Sequence, residues 1–357
     1  MVLSERAMAK KRKEKQPTEQ RRRNPHSAPL SASAKAAPRA EPRRRAGVLS
    51  NGGQRLNDIG FPIVGLGASA GGLEAIRKLL GAMPANIGIA FILIQHLDPK
   101  HESMMVDLLA RDTTMKVRQA AEGMPIERNC LYVIPPQAYL SIGDGVLRLS
   151  QPQPRPGARM PFDFFLGSLA EEYGERAICV ILSGTGTDGS VGLKAISEKG
   201  GLVIAQDPEE AAYDGMPRSA IATGAVNLVL PTAKIPLAIT RYARHPYVTA
   251  RYTTAASEEK GGKSLAAIVN LLLTRTSHDF SHYKRATLLR RIRRRMAAAG
   301  ITEFNDYIKM LRKDGGELGL LAKDLFIHVT SFFSRPRRLR GFGKNSHCRT
   351  GAPAPSG

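Results

Sequence analysis

The chain has 357 residues, of which 53 are Lys or Arg and 31 are Asp or Glu, so its formal net charge is +22. A hydrophobic content of 42% is close to that of globular proteins, and the length suits one large domain with a smaller one. Three scattered cysteines and short apolar runs argue against a disulfide framework, a zinc cluster and a membrane span, so we expect a cytoplasmic protein that needs no cofactor.

The charge lies mainly at the two ends of the chain. Residues 1–58 carry a net charge of +10, residues 59–240 carry −3, and residues 241–357 carry +15. A protein that binds nucleic acid along its whole length would not leave its largest apolar block slightly acidic. The middle block is therefore predicted to be a separate unit, and nucleic acid is disfavoured as its partner.

Residues 1–58 are of low complexity, with runs such as KKRKEK and PRRR separated by Ala, Ser and Pro. Such a segment cannot bury enough apolar surface to offset the entropy that it would lose on ordering. We predict a disordered basic tail. Binding of this tail to nucleic acid or to an anionic membrane surface is the alternative.

From residue 59 to about residue 240, short β-rich runs alternate with segments of helical spacing. The apolar runs are PIVGLG, IAFILIQ, CLYVIP, AICVILSG and GLVIAQD, and LEAIRKLLGAM and PFDFFLGSLAEEYG are two of the helical segments. Continuously apolar strands that alternate with helices predict an α/β fold with a doubly wound, mostly parallel, Rossmann-like sheet. Gly143-Asp144-Gly145 lies between two alternating runs and predicts a β-hairpin.

The first predicted strand ends in a Gly-rich turn, PIVGLGASAGGLEAI, that carries Ser69. A helix is predicted to begin near Gly72, so the Ser69 hydroxyl would lie at the positive end of that helix, as a nucleophile requires. The spacing Gly65-x-Gly67-x-x-x-Gly71 also approximates a dinucleotide fingerprint. Taken alone, this turn favours a nucleotide site over a nucleophile.

The next two strand ends supply a base and an acid. AFILIQHLDP places His96 where a strand leaves the sheet, and LSGTGTDG places Asp188 on a Gly-rich turn. Asp188 could orient an imidazolium or cap a helix, and the two roles are compatible. Backbone N–H groups near Thr185 could bind an oxyanion. Ser69, His96 and Asp188 together predict a serine hydrolase.

The last third of the chain predicts a small all-α domain. Residues 241–263 are polar and lack a pattern, which predicts a linker, whereas residues 264–333 have helical periodicity, with Gly300 and Gly315 expected to end two helices. One of these helices has more arginines within two turns than a packed helix needs, and an acidic partner, nucleic acid or solvent could face them. These arginines are Arg290, Arg291, Arg293, Arg294 and Arg295.

Four motifs between residues 60 and 240 (GASAGG, QHLDP, LSGTGTDG and AAYDGMPRSAIATG) resemble the chemotaxis protein-glutamate methylesterases of the CheB type. The resemblance implies that Ser69 is the nucleophile, His96 the general base and Asp188 the third triad member. It also implies oxyanion-hole amides at Ala70 and at Thr185, where members of the family often have Met. Enzymes of this family hydrolyse glutamate methyl esters on chemotaxis receptors, and many deamidate glutamine there. Their amino-terminal receiver domain is replaced here by the basic tail, so regulation is open.

The segment DFSHYKRATLLRRIRRRMAAAGITEFNDYIKMLRKD is similar to the amino-terminal helical domain of CheR-type receptor methyltransferases. This resemblance implies that the five arginines face acidic methylation helices of a receptor. Ser334 stands where that family has Arg, and no cofactor-binding domain follows, so methyl transfer is predicted to be absent. Residues 334–357 are basic and aperiodic. A shifted reading frame is one hypothesis for them, which the nucleotide sequence would test.

Two alternatives to an esterase stay open on the sequence. A nucleotide-binding α/β protein would respond in a thermal-shift assay to dinucleotides and not to serine-directed phosphonates. A catalytically idle receptor-docking adaptor would use the basic helices alone, although the intact triad residues disfavour it.

Overall fold

A computed structural model describes residues 60–95, 104–151, 160–249 and 262–326. Three of the sequence predictions fall outside these described residues: His96, the basic tail 1–58 and the basic segment 334–357.

The described residues form nine strands and eleven α-helices. The strands are β1 (Ile63–Ala68), β2 (Ala90–Gln95), β3 (Lys116–Gln119), β4 (Cys130–Val133), β5 (Tyr139–Gly143), β6 (Val146–Ser150), β7 (Ala177–Ile181), β8 (Leu202–Gln206) and β9 (Leu228–Leu230). The helices are α1 (Gly72–Gly81), α2 (Met104–Ala110), α3 (Pro161–Tyr173), α4 (Gly192–Glu198), α5 (Gly215–Ala222), α6 (Ile235–Arg244), α7 (Pro246–Thr249), α8 (Gly262–Thr276), α9 (Arg285–Ala299), α10 (Phe304–Lys313) and α11 (Gly315–Phe326).

Seven parallel strands make one sheet in the order β3-β4-β2-β1-β7-β8-β9. Helices cover both faces: Phe162 and Leu193 belong to one buried apolar cluster, and Ile76 and Ile239 belong to the other. This arrangement explains why β1 and β7 are apolar at almost every position, since a strand covered on both faces has no solvent side. The predicted doubly wound α/β fold is confirmed.

The order of the strands fixes the place where a ligand would bind. From β1 the chain adds β2, β4 and β3 on one side, and it then returns to place β7, β8 and β9 on the other. The crevice of such a sheet opens at the carboxyl ends of the two strands where the direction reverses. Here these strands are β1 and β7, which precede Ser69 and Asp188 respectively.

The predicted hairpin is present as the antiparallel pair β5–β6. Asp144 and Gly145 both have positive φ, 55° and 77°, which suits a two-residue turn that follows the twist of the strands. The hairpin is attached to α3, because the Ile142 amide donates to the Ser168 hydroxyl at 3.1 Å.

The predicted linker 241–263 is wrong for residues 241–249, which belong to α6 and α7. Tyr242 and Tyr247 are buried, and both hydroxyls donate to the carbonyl of Gly200 at 3.1 Å. The segment has a polar composition because its arginines occupy the opposite, exposed face of α6. Residues 250–261 lie outside the described part of the chain.

The helical domain, defined here as residues 262–326, has its own apolar cluster, which includes Ile268, Ile292 and Leu321. Gly300 ends α9 in the left-handed conformation, as predicted, with φ 73°. Gly315 does not end a helix and instead begins α11, because the side chain of Asp314 accepts hydrogen bonds from the amides that follow it. Within the described residues, no helix is both long and apolar enough to span a bilayer.

Candidate active site

Ser69 lies on a turn whose backbone is held at both ends. Its amide donates to the carbonyl of Ser183 at 3.1 Å, and its own carbonyl accepts from the amide of Gly72 at 2.9 Å. Gly71 between them has a φ of 68°, which non-glycine residues rarely adopt. The turn therefore presents Ser69 half-buried at the amino end of α1, the position that the sequence predicted for it.

The turn that follows β7 passes directly beside Ser69. A Cβ atom on Gly184 would lie 3.0 Å from the Cβ of Ser69 and 2.2 Å from the sulfur of Met216. Only glycine permits this approach, which brings the next residue, Thr185, to the same part of the sheet edge. Within the described residues, the N–H groups of Ala70 and Thr185 donate to no other protein atom. Both amides are therefore able to donate to a ligand, as an oxyanion hole requires.

Ser183 connects the elements around the nucleophile and was not identified from the sequence. Its hydroxyl donates to the carbonyl of Ala70 and accepts from the amide of Tyr213, both at 3.0 Å. Its own amide donates to the side-chain oxygen of Gln206 at 2.8 Å, and its carbonyl accepts from Ser69. Ser183 itself is only 1% exposed, whereas its partners Ala70 and Tyr213 are partly exposed. It joins the ends of β1, β7 and β8.

Asp188 caps a helix, although not the one that follows it in sequence. Its two carboxylate oxygens accept from the amides of Phe162 and Asp163 at 3.0 Å, and so it caps the first turn of α3. Because each carboxylate oxygen has two lone pairs, capping of α3 is compatible with a further hydrogen bond to Asp188. Asp188 is 6% exposed and therefore largely excluded from water.

Asp163 in turn caps the helix that follows Asp188. One of its carboxylate oxygens accepts from the amides of Val191 and Gly192, at 2.9 and 2.7 Å. Burial, and further the charge of nearby Asp188, raise the pKa of Asp163, while the hydrogen bond from Gly192 opposes the shift. The two carboxylates thus fix α3 and α4 to each other around the turn that carries Asp188.

The ring of Phe162 connects Asp188 to the strand that precedes the nucleophile. A Cβ atom on Gly67 would lie 2.2 Å from the ring carbons, and one on Gly189 would lie 2.7 Å from the ring. The ring therefore packs directly on the backbone of β1 and on the residue after Asp188. This contact places Asp188 and Ser69 at the same end of the sheet.

A cleft of about 460 Å³ opens at the turn that follows β7, lined by Thr185, Gly186 and residues 211–215. Its volume is within the range of small-ligand pockets. Ala212 packs against Gly71, since a Cβ atom placed on Gly71 would lie 2.8 Å from the Cβ of Ala212. This packing leaves no space for a phosphate at that glycine. Close packing against Ala212 accounts for this glycine, which weakens the dinucleotide alternative at this turn.

His96 immediately follows the last described residue of β2, Gln95, and lies outside the described residues. Gln95 is paired in register with Ala68, the residue before Ser69. In the ranges that the structure describes, no three His, Cys, Asp or Glu side chains form a cluster that could hold a metal ion.

Comparison with known proteins shows the family to which the sheet region of the chain belongs. The family profile described as CheB methylesterase matches residues 64–239. A protein of Leptospira interrogans named putative protein-glutamate methylesterase/protein-glutamine glutaminase is 33% identical over 178 residues, which cover 50% of this chain and 92% of that protein. The chain belongs to the CheB methylesterase family.

Other CheB relatives extend well beyond the region that this chain matches. A protein-glutamate methylesterase/protein-glutamine glutaminase of Anaeromyxobacter dehalogenans is 34% identical over 51% of this chain and 53% of its own length. The chain spans about half the length of this relative and of those from Syntrophomonas wolfei and Pyrococcus abyssi. The solved CheB methylesterase catalytic domain of Thermotoga maritima is 30% identical over 50% of this chain and 97% of that one, with a TM-score of 0.48.

The helical domain matches a second family profile, described as the all-alpha domain of CheR methyltransferase, over residues 263–326. The prediction that all of the arginines on α9 face a receptor does not hold for three of them in this structure. Arg291, Arg294 and Arg295 are at most 3% exposed, because carboxylates and carbonyls within the chain accept their hydrogen bonds. Arg290 is half-buried, and Arg293 lies over the ring of Phe304 at 5.9 Å.

Proposed function

We propose that this CheB-family chain is a serine hydrolase that removes methyl esters from glutamate side chains of methyl-accepting chemotaxis receptors. Deamidation of receptor glutamine would use the same groups. The observation that carries the proposal is the packing of Ser69 against the Gly184 turn, beside two amides that have no other acceptor within the described residues. The family membership of the chain supports the same chemistry.

In the proposed reaction, His96 removes the proton of Ser69 as the hydroxyl oxygen attacks the side-chain acyl carbon. The tetrahedral oxyanion accepts hydrogen bonds from the amides of Ala70 and Thr185. His96 then returns the proton to the leaving oxygen, and methanol departs. A water molecule, deprotonated by His96, releases the glutamate carboxylate and regenerates Ser69.

Asp188 has an orienting role in this proposal. Its side chain would accept the second N–H of the His96 ring and stabilise the imidazolium that forms during each half-reaction. Support comes from the rigid setting of this carboxylate, which is fixed by two amides of α3 and by the Phe162 ring.

We place the proposed activity in the cytoplasm, where the methylated helices of such receptors would be accessible to it. The two cysteines in the described residues, Cys130 and Cys179, are buried as free thiols, which supports a reducing compartment.

The proposal is tested by measuring methanol release from a methylated receptor. We expect wild-type protein and Ser168→Ala to release methanol at equal rates and Ser69→Ala to release none. Ser168 is a suitable control because its hydroxyl bonds α3 to the hairpin, away from Ser69. Methanol release by a folded Ser69→Ala variant would reject the nucleophile. A wild-type protein that binds receptor without releasing methanol would be an adaptor, and one stabilised by dinucleotide alone would be a nucleotide-binding protein.

A further inference from the structure

Three arginines of α9 are buried at a boundary between the helical domain and the sheet domain, defined here as residues 60–249. Arg291, Arg294 and Arg295 are 3%, 1% and 2% exposed. Arginine is almost never fully buried unless it is paired, so each of these side chains needs partners. The partners come from both domains.

Carboxylates of the helical domain hold the two most buried guanidinium groups. Arg294 is bonded to the carboxylate of Asp324 by two nitrogens, and Arg295 is bonded to both oxygens of Glu317, at 3.0 and 2.5 Å. The hydroxyl of Tyr307 also donates to Glu317 at 2.8 Å. These bonds within the helical domain fix the orientation of the planar forks of both arginines.

The nitrogens that remain point to backbone carbonyls of the sheet domain. One Nη of Arg294 donates to the carbonyl of Ser197 at 2.5 Å and also to its hydroxyl at 3.1 Å. The Nη1 of Arg295 donates to the carbonyl of Asn227 at 2.8 Å. Ser197 lies in the last turn of α4, and Asn227 directly precedes β9, so both carbonyls lie at the amino-terminal edge of the sheet, opposite the Ser69 turn.

Apolar and polar contacts on either side extend this boundary. Ala297 of α9 is completely buried within the same apolar cluster as Ile239 of the sheet domain. A ring nitrogen of His245 lies 2.9 Å from the carbonyl of Ile301. Burial acts to lower the pKa of Arg294, but the charge and hydrogen bonds of Asp324 outweigh it and raise the pKa, so this arginine stays charged.

We propose that α9 is an internal docking helix: its buried arginines recognise backbone carbonyls at the amino-terminal edge of the sheet domain. The partner that this basic helix fits is therefore the sheet domain of its own chain, and not an acidic receptor helix. The proposal goes beyond the proposed esterase activity and does not depend on it.

The charge arrangement favours the internal partner over a receptor helix. Asp324 and Glu317 already neutralise Arg294 and Arg295, so these two guanidinium groups have little charge left to attract an acidic peptide. The sheet domain offers them carbonyl oxygens, which are neutral acceptors with fixed positions. A receptor helix could reach the same nitrogens only after α9 leaves the sheet domain. Receptor binding by the helical domain would then have to use another of its faces.

Lysine substitutions distinguish the sheet domain from an acidic receptor helix as the partner of α9. Lysine keeps the positive charge that attracts an acidic helix, but it lacks the planar guanidinium fork that can donate to a carboxylate and to a carbonyl at the same time. We compare the full chain with Arg294→Lys and Arg295→Lys, and we use Arg293→Lys on the same helix as the matched control, because Arg293 lies over the ring of Phe304 in the helical domain. Hydrogen exchange is measured at residues 197–201 and 226–228. The amides of Gly201 and Asn227 in these segments donate within the sheet domain.

We expect exchange in both segments to rise several-fold in Arg294→Lys and Arg295→Lys and to stay unchanged in Arg293→Lys. Binding of a synthetic glutamate-rich helical peptide, followed by fluorescence anisotropy, should not depend on Arg294 or Arg295. Unchanged exchange in these variants, or peptide binding that requires these two arginines, would overturn the proposal.

The wild-type chain provides a test that does not depend on the folding of any variant. Buried ion pairs are screened by salt much less than exposed ones. Protection of residues 197–201 and 226–228 should therefore persist in about 1 M salt and in an excess of the glutamate-rich peptide. Loss of protection on addition of the peptide would mean that an acidic helix displaces α9, and the proposal would be wrong.

Discussion

The substitution Ser183→Ala tests whether the hydroxyl that joins three strand ends positions the nucleophile. It removes the bond to the Ala70 carbonyl and the bond from the Tyr213 amide, both 3.0 Å long, and adds no bulk. A buried backbone group left without a partner costs about 1–3 kcal/mol. Because Ala70 and Tyr213 are partly exposed, water can reach both groups. We therefore expect a total loss of about 1–3 kcal/mol in the free energy of unfolding.

The effect on catalysis should be larger than this loss of stability suggests. The carbonyl of Ala70 belongs to the same turn as the Ser69 hydroxyl and the proposed oxyanion amide. Loss of one oxyanion donor costs about 100- to 1000-fold in rate, and that sets the upper limit. A small displacement of the turn should lower kcat by about 10- to 100-fold with little change in KM, since geometry and not ground-state binding is altered.

Ser168→Ala is the matched control for this measurement. The Ser168 hydroxyl also donates to a backbone carbonyl, that of Phe165, and accepts from a backbone amide, that of Ile142. Steady-state kinetics of methyl ester hydrolysis and urea unfolding should be measured for both variants. Similar losses of stability with loss of activity only in Ser183→Ala would support a positioning role. Equal activities in the two folded variants would refute it.

Two further predictions concern the surroundings of Asp188 and Ser69. Asp163→Asn keeps a side-chain oxygen for the two amides that Asp163 caps, but it removes the charge whose burial raises the pKa of Asp163. The free energy of unfolding of this variant, relative to wild type, should therefore increase as pH rises above the normal carboxyl pKa of 3.8 and then level off. A difference in urea unfolding that does not change with pH would contradict this prediction. Gly184→Ala should lower activity by about 100-fold or more, because the new methyl group would meet Ser69 and Met216. Gly167→Ala is the control: it lies in a helix beside open space, so it should raise the free energy of unfolding by about 0.5–1 kcal/mol without affecting kinetics. Equal kinetics for the two alanine variants would show that the close approach at Gly184 is unimportant.

The sheet could be predicted because its central strands are buried on both faces, which makes them apolar. β1 and β7 are apolar along their whole length and β2 is apolar up to its last residue, Gln95, and short apolar runs between helical segments are typical of strands that are covered on both faces. β3 and β9 were not predicted. They have only four and three residues, lie at the two edges of the sheet and are partly exposed, so neither composition nor periodicity distinguishes them from loops.

The supporting residues of the site could not be predicted because their bonds join distant parts of the chain. Ser183 meets Ala70 across 113 residues, and Asp188 meets Phe162 across 26. A serine or an aspartate that bonds to backbone has no sequence signal of its own. The arginines of α9 were predicted to be exposed, because a dense basic run usually is, but three of them are buried. One signal was present: Glu317 and Asp324 are seven residues apart, and so they lie on one face of α11 with its apolar side chains.

The central claim, that Ser69 is the nucleophile of a methylesterase, is tested most directly by labelling the full chain with a fluorophosphonate and locating the adduct by mass spectrometry. We expect a single phosphonyl group on Ser69, release of fluoride in equal amount, and methanol release that falls in proportion to labelling. An adduct on another serine that abolishes activity, or full methanol release from protein labelled at Ser69, would contradict it.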